Sequence, residues 1–177
     1  MSNTNRATTI IDDDQAVLDV IKAIYDAWAV NDANLFAALY LDDATVVQPG
    51  VHKKNNDDIR TSMATLFAGP LKGSTVVDAP QSVRYLGEDV AVVISEGGIL
   101  MAGQTEPAAE GRVRATWVLA KRDGQWWVAA YHNSPADCPR PTTKCPADVV
   151  RAFWASAWRR HNTFSSARRS AGPLRSR

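Results

Sequence analysis

The stretch "GRVRATWVLAKRDGQWWVAAYHNSP", Gly111 to Pro135, decides how the chain is read. Asp123–Gly124 is a tight-hairpin signal, because both residues tolerate the left-handed backbone that a short turn between twisted strands requires. The runs on either side are rich in Val, Trp, Tyr and Ala, so they predict two long antiparallel strands, and Pro135 stops the second. Parity then sorts that second run: Trp126, Val128, Ala130 and His132 on one face, Trp127, Ala129, Tyr131 and Asn133 on the other. Both faces are apolar, so both should be covered. One would meet helices and a cavity, and the other a second copy of the chain, which makes a homodimer through the sheet the expected assembly.

Upstream, "STVVDAPQSVRYLG" and "DVAVVISEGGILM" read as two further strands, and "AGQTEPAAEG" as an exposed connection. Before them the pattern is helical. Asp12, Asp13 and Asp14 offer an N-cap, and Val17, Ile21, Ile24 and Trp28 recur at helical spacing, which predicts a helix from about Asp13 to Val30. Asp32 caps a second, shorter helix with Leu35, Phe36, Leu39 and Tyr40 as its apolar face, ended by "LDD". The segment "ATVVQPG" is a short strand closed by Pro49 and Gly50, and "VHKKNN" a polar loop containing His52. Asn56 or Asp57 then caps a third helix built on Ile59, Met63, Leu66 and Phe67. Helix, helix, strand, helix and four long strands is an α+β order, with a curved, mostly antiparallel sheet wrapped around three helices and a cone-like cavity between them.

The 177 residues are 45% hydrophobic, enough for one domain. Net charge is +1, but residues 1–137 hold 11 Lys/Arg against 18 Asp/Glu, and residues 138–177 hold nine against one. We therefore expect a single domain over 1–137 and a basic tail over 138–177, partly disordered and lying outside the core. Cys138 and Cys145 sit in a Pro-rich part of that tail and read as reduced thiols. The opening of the chain has no basic and apolar leader, and no run reaches the roughly 18 apolar residues of a membrane helix. A cytoplasmic protein without a membrane partner is expected. There is no phosphate-binding Gly loop before a helix, no metal-ligand cluster and no interleaved basic and aromatic surface. The expectation is accordingly no cofactor, no metal and no nucleic acid.

The segments "YDAWAVNDANLFAALYLDDATVVQPG", "SVRYLGEDVAVVISEGGILMAG" and "ATWVLAKRDGQWWVAAYHNSP" together resemble the NTF2-like superfamily of α+β cone proteins. Within it they resemble the SnoaL-like group, and most closely the SgcJ/EcaC family found with enediyne antibiotic biosynthesis genes. The resemblance spans residues 12–135. It implies the cone fold and a hydrophobic small-molecule ligand, and a fold that hosts isomerases, cyclases, dehydratases and plain binding proteins. The superfamily's ketosteroid isomerase has its basic aspartate just before the proline that ends the first strand. Here "DDATVVQP" matches that segment and puts Gln48 there, and an amide cannot take a proton from carbon. The isomerase's helix-one tyrosine falls at Ile24 or Tyr25.

Seven residues follow as candidates. His132, placed on the cavity side by its small companions Val128 and Ala130, can act as general acid or base, or can be a strand-end imidazole bonded to backbone. Glu96, the only acid in "DVAVVISEGGIL", can be a second acid or base with a raised pKa, or an ion-pair partner of Arg114 or His132. Gln48 would orient a substrate carbonyl or hydroxyl. Trp28, Tyr40 and Phe67 would line an apolar cavity, and Thr116 would offer a hydroxyl. Asn133, of opposite parity, would fix the "NSP" turn. Two functions remain open: a cofactor-free cyclase, isomerase or dehydratase acting on a hydrophobic polyketide or enediyne intermediate, and a non-catalytic binding or accessory protein for such an intermediate.

Overall fold

The computed structural model describes residues 3–108 and 111–136, with side chains from Asp13 onward. The basic tail, Cys138, Cys145 and His161 lie outside the described residues. Within them run α1 (Asn3–Ala29), α2 (Ala33–Ala37), β1 (Tyr40–Gln48), β2 (Val51–Lys53), α3 (Asn56–Ala68), β3 (Thr75–Tyr85), β4 (Val90–Leu100), β5 (Arg112–Arg122) and β6 (Gln125–Pro135). The strands form one mixed sheet in the order β2-β1-β6-β5-β4-β3. Only the β1–β6 pairing is parallel.

The hairpin reading of Asp123–Gly124 holds: φ is 51° at Asp123 and 78° at Gly124, both left-handed. The three helices lie on the inner, concave face. Val17, Ile21 and Ile24 of α1, Ile59, Met63 and Phe67 of α3, and Val93, Leu119 and Val128 of the sheet form one buried cluster. Burying each such side chain contributes roughly 1.5–3 kcal/mol before conformational entropy is subtracted. No helix among the described residues is long and apolar enough to cross a membrane.

Four local expectations are corrected. Helix α1 starts well before Asp12, so the aspartate triplet lies inside it rather than capping it. Asp13 instead accepts hydrogen bonds from Lys121 Nζ at 2.7 Å and Trp126 Nε1 at 3.2 Å, and Asp14 accepts one from Tyr85 Oη at 2.7 Å. These contacts fasten the helix to the sheet. Helix α2 has the predicted Asp32 cap, whose carboxylate accepts from the Asn34 and Leu35 amides, but it ends at Ala37 and Tyr40 opens β1. The third helix is capped by Asn55, not Asn56 or Asp57. Asn56 bridges elements instead, donating to the carbonyls of Ala37 at 2.8 Å and Tyr40 at 2.9 Å. The polar "VHKKNN" stretch is strand over its first three residues.

The correction that matters most for the site lies in β6. Val118 of β5 pairs with Ala130, and the next residue, Leu119, pairs with Val128, so Ala129 is an extra, bulged residue. Parity inverts there. Trp126 and Val128 face the core before the bulge, and after it Tyr131 and Asn133 face inward while Ala130 and His132 face outward.

The Lys121 ammonium beside Asp13 holds its carboxyl below the ordinary 3.8, against the opposing effect of burial, with Trp126 adding a second bond. A carboxyl depressed by folding stabilises the fold above its unfolded value, and the gain is lost as pH falls through the folded one. Asp13→Asn should therefore cost about 1 kcal/mol in urea denaturation at pH 7. The gap between the variant and the wild type should close as pH falls below 3.8; equal stability at pH 7 would show that the contact is idle.

Candidate functional site

Between the helices and the concave face lies a cavity of ≈ 330 Å³. That is within the usual size of small-molecule sites. Its wall is mainly apolar and aromatic, including Trp28, Tyr40, Met63 and Trp117. Besides Gln104, whose Oε1 accepts from the Met101 amide, polar groups enter at two places.

The first is built on Asp78 of β3. Its carboxyl is raised above the ordinary 3.8 because burial penalises the charge, while hydrogen bonds from the Ser95 and Tyr25 hydroxyls pull the other way. Its Oδ2 is buried and has no hydrogen-bond partner. Ser95 is itself fully buried and accepts a bond from Trp117 Nε1 at 3.2 Å. Opposite Asp78 in the strand pairing stands Gly97. A Cβ there would lie 2.8 Å from Asp78 Oδ1 and 2.5 Å from the Val77 carbonyl oxygen, so the aspartate side chain uses the space a side chain would take.

Tyr25 of α1, Trp117 of β5 and Tyr131 of β6 pack beside this carboxyl, with ring centroids 6.0 Å apart for the first pair and 4.2 Å for the second. Burial, followed by the neighbouring Asp78 charge, raises the Tyr25 phenol far above its ordinary 10.0, and burial raises Tyr131 as well. Both hydroxyls stay protonated and able to donate. Asn133 Nδ2 donates to Tyr131 Oη at 2.8 Å, which leaves the phenolic proton free for another acceptor.

The second polar place is the β1–β2 end, where Gln48 and Lys53 line the cavity. Lys53 is 6% exposed and donates to Gln48 Oε1 at 3.4 Å. Burial alone lowers its ammonium to about 8.

Of the sequence candidates, Gln48, Trp28 and Tyr40 line the cavity. Trp28 is held by a 3.0 Å bond from Nε1 to Ser74 Oγ. Phe67 stands behind, its ring 5.4 Å from Trp28 and 6.2 Å from Phe36. His132, Glu96 and Thr116 lie on the outer face instead. His132 is exposed and pairs in register with Thr116, which sits opposite Ile94. Glu96 is engaged by Arg114, whose Nε donates at 3.0 Å and whose Nη2 makes a second contact to the same oxygen. That guanidinium holds the carboxyl below the ordinary 4.5, opposite to the raised value expected. The bulge at Ala129 explains the placement of His132, and by the same inversion puts Asn133 in the cavity wall rather than in a turn. Among the described residues no cluster of three or more His, Cys, Asp or Glu could hold a metal ion.

A family model of the SnoaL-like domain matches residues 17–137. The chain belongs to the SnoaL-like domain family. This SnoaL-like domain is similar to a domain of unknown function with a cystatin-like fold from Nostoc punctiforme PCC 73102, with a TM-score of 0.68, 19% identity, and coverage of 84% of this chain and 98% of that one. It is similar to an NTF2-like protein with a cystatin-like fold from Novosphingobium aromaticivorans, with a TM-score of 0.68, 16% identity, and coverage of 77% and 90%. A function-unknown protein from Mycobacterium tuberculosis superposes with a TM-score of 0.63 at 17% identity, covering 90% of this chain and 95% of its own. Among curated proteins nothing matches. These likenesses show the NTF2-like fold, and the family suggests a small-molecule binding protein or one of isomerase or cyclase type.

Asp78, the carboxyl of this SnoaL-like cavity, carried a usable sequence signal. It is the lone acid in the β-branched run "STVVDAPQ", in step with Val76. Lys53 carried less, because a polar run of six residues hides a strand only three long. The geometry around Asp78 makes a direct prediction: Gly97→Ala should cost about 1–3 kcal/mol in thermal or urea unfolding, as overpacked interiors do. Wild-type stability in that variant would mean that β3 and β4 can separate freely and that Asp78 is not held by Gly97.

Proposed function

We propose that the cavity binds a flat hydrophobic small molecule and that Asp78 moves a proton on it without a cofactor, in a cyclisation, isomerisation or dehydration. The observation that carries this reading is the Asp78 carboxyl itself: desolvated, steadied by two hydroxyls, with one buried oxygen unpartnered, on a residue that lines an apolar cavity. A carboxyl of that kind is matched to taking a proton from carbon and returning it elsewhere on the same molecule. Tyr131, kept neutral by burial and accepting from Asn133, has its O–H proton free for the enolate oxygen that forms when the proton leaves. The polyketide or enediyne intermediate implied by the sequence resemblance fits this chemistry, since C–H bonds beside carbonyls are the acidic ones in such compounds.

The test uses 5-nitrobenzisoxazole, a flat carbon acid. A base removes its ring C–H proton, the electron pair forms the nitrile, and the N–O bond breaks to give a coloured phenolate. Wild type should turn it over with saturation, with a rate rising with pH through a midpoint above 3.8, because the ionised carboxyl is the base and burial raises it. Asp78→Asn should lose about 10²-fold or more, the usual contribution of a positioned base. Glu96→Gln and His132→Ala, changed on the outer face, should stay near the wild-type rate. Loss of activity in those two with retention in Asp78→Asn would return the chemistry to the outer face and overturn the assignment.

The alternative, a non-catalytic binding or accessory protein, is favoured by one observation: Asp78 is the only carboxyl in the described cavity wall. Saturable binding of the same probe without turnover would establish that reading.

The outer sheet face supports the proposed homodimer. Its centre presents Val92, Ile94, Val118 and Ala130, no described helix covers it, and Val47 nearby is 41% exposed. The Glu96–Arg114 pair at its margin gives the two-fold copy complementary charges. Light scattering should find a dimer and Ile94→Glu should give a folded monomer; a monomeric wild type at tens of micromolar would refute the assembly.

A further inference from the structure

We infer that the β2 end of the cavity is an anion site, where Lys53 and Gln48 receive the carboxylate of an otherwise apolar, flat ligand. The inference rests on the cavity being a ligand site but not on Asp78 chemistry. Lys53 is 6% exposed, lines the cavity, and among the described residues has no carboxylate partner; its one side-chain bond is the 3.4 Å contact to Gln48 Oε1. An ammonium with one donor used has two left, and an amide that accepts through Oε1 keeps its N–H₂ donors. This end of the cavity thus offers donors and positive charge with no anion to receive them. A buried charge left in that condition is costly to the fold and is retained where it serves a site.

The surroundings offer no counter-ion. On β1, in register with Lys53 at Val46, the acids Asp42 and Asp43 are exposed. At the start of α3, Asp57 is exposed and paired with Arg60, and exposed Asp58 accepts from the Lys54 amide at 3.1 Å. His52, on the same strand, points to solvent. Tyr40, Tyr25 and Tyr131 share the cavity wall and stay neutral. Asp78 stands on β3, at the opposite edge of the sheet from β2. None of these charges moves the Lys53 ammonium, which is lowered to about 8 by burial alone and is still mostly protonated at pH 7. The ligand would then lie with its charged head at β2 and its body along the aromatic wall toward Asp78.

The experiment is calorimetric titration of 2-naphthoate and its neutral isostere 2-naphthamide into wild type, Lys53→Met and Lys53→Gln. At pH 7 the wild type should prefer naphthoate by about tenfold or more, the range of a desolvated charge pair. Both variants should lose that preference and keep their affinity for the amide. Naphthoate affinity should hold below about 8 and fall as pH rises through it, since the anion needs the protonated amine. Lys53→Met should also melt higher than wild type at pH 7, and the difference should shrink toward 10.5 as the wild-type amine becomes neutral in both states. Equal binding of the two probes to wild type, or preference retained in both variants, would overturn the anion site while leaving the cavity a ligand site. Binding of neither probe to wild type would overturn the cavity reading and the inference with it.

Discussion

A β-strand can present only alternate residues to one face, and β6 must do two different things along its length. Near the hairpin it has to bring Trp126 and Val128 against α1, where Trp126 donates to Asp13 and Val128 is fully buried. Farther on it has to bring Tyr131 against Trp117 and Asn133 against Tyr131 in the cavity wall. Two even-spaced residues and two odd-spaced ones cannot share a face in an unbroken strand. The bulge at Ala129 resolves the conflict by adding one residue, bending the sheet and re-aiming every side chain beyond it. Without it the cavity would lose Tyr131 and Asn133, and the aromatic wall beside Asp78 would be open.

The same bend lets one cavity collect groups from both edges of the sheet. Lys53 on β2 and Asp78 on β3 stand at the two ends of the strand order, and both line the cavity. Burial acts on them with opposite sign, raising the acid and lowering the base, because in each case the charged form loses hydration. The two groups are not a salt bridge that cancels these costs. The fold instead carries two desolvated ionisable groups at separate places, offset by the apolar cluster around Ile24, Val93 and Leu119. Such a distribution suits an oriented ligand, apolar but for one charged end, better than it suits stability.

Much of the fold was legible because its signals are long and regular. The hairpin pair Asp123–Gly124, the helical recurrence of Val17, Ile21 and Ile24, and the β-branched runs of β3 to β5 each span enough residues for their period to show. The site was less legible for a physical reason. Parity is a local rule, and a bulge resets it without a strong composition signal: Ala129 differs in nothing visible from Ala130. His132 was placed inward by counting across that reset, and Glu96 and Thr116 share the outer face of the neighbouring strands, where Glu96 meets Arg114 and Thr116 meets His132. Gln48 was found through the resemblance of "DDATVVQP" to the isomerase segment, and Trp28 and Tyr40 as bulky aromatics in the helix-spaced apolar pattern.

The resemblance to ketosteroid isomerase places a base at the end of β1, and Gln48 stands there instead. In this chain that amide is the neighbour of a buried ammonium, and a carboxylate at the same position would pair with Lys53 and be held ionised, a weak base. Removing the acid from that end leaves Lys53 free to meet an anion from outside. The chain's cavity carboxyl stands instead on β3, where Ser95, Tyr25 and the absent side chain of Gly97 hold it away from any cation among the described residues. A carboxyl kept from cations is the one whose pKa burial can raise. Separating the acid from the amine by the width of the sheet is therefore what allows each to keep the protonation behaviour that its end of the cavity requires.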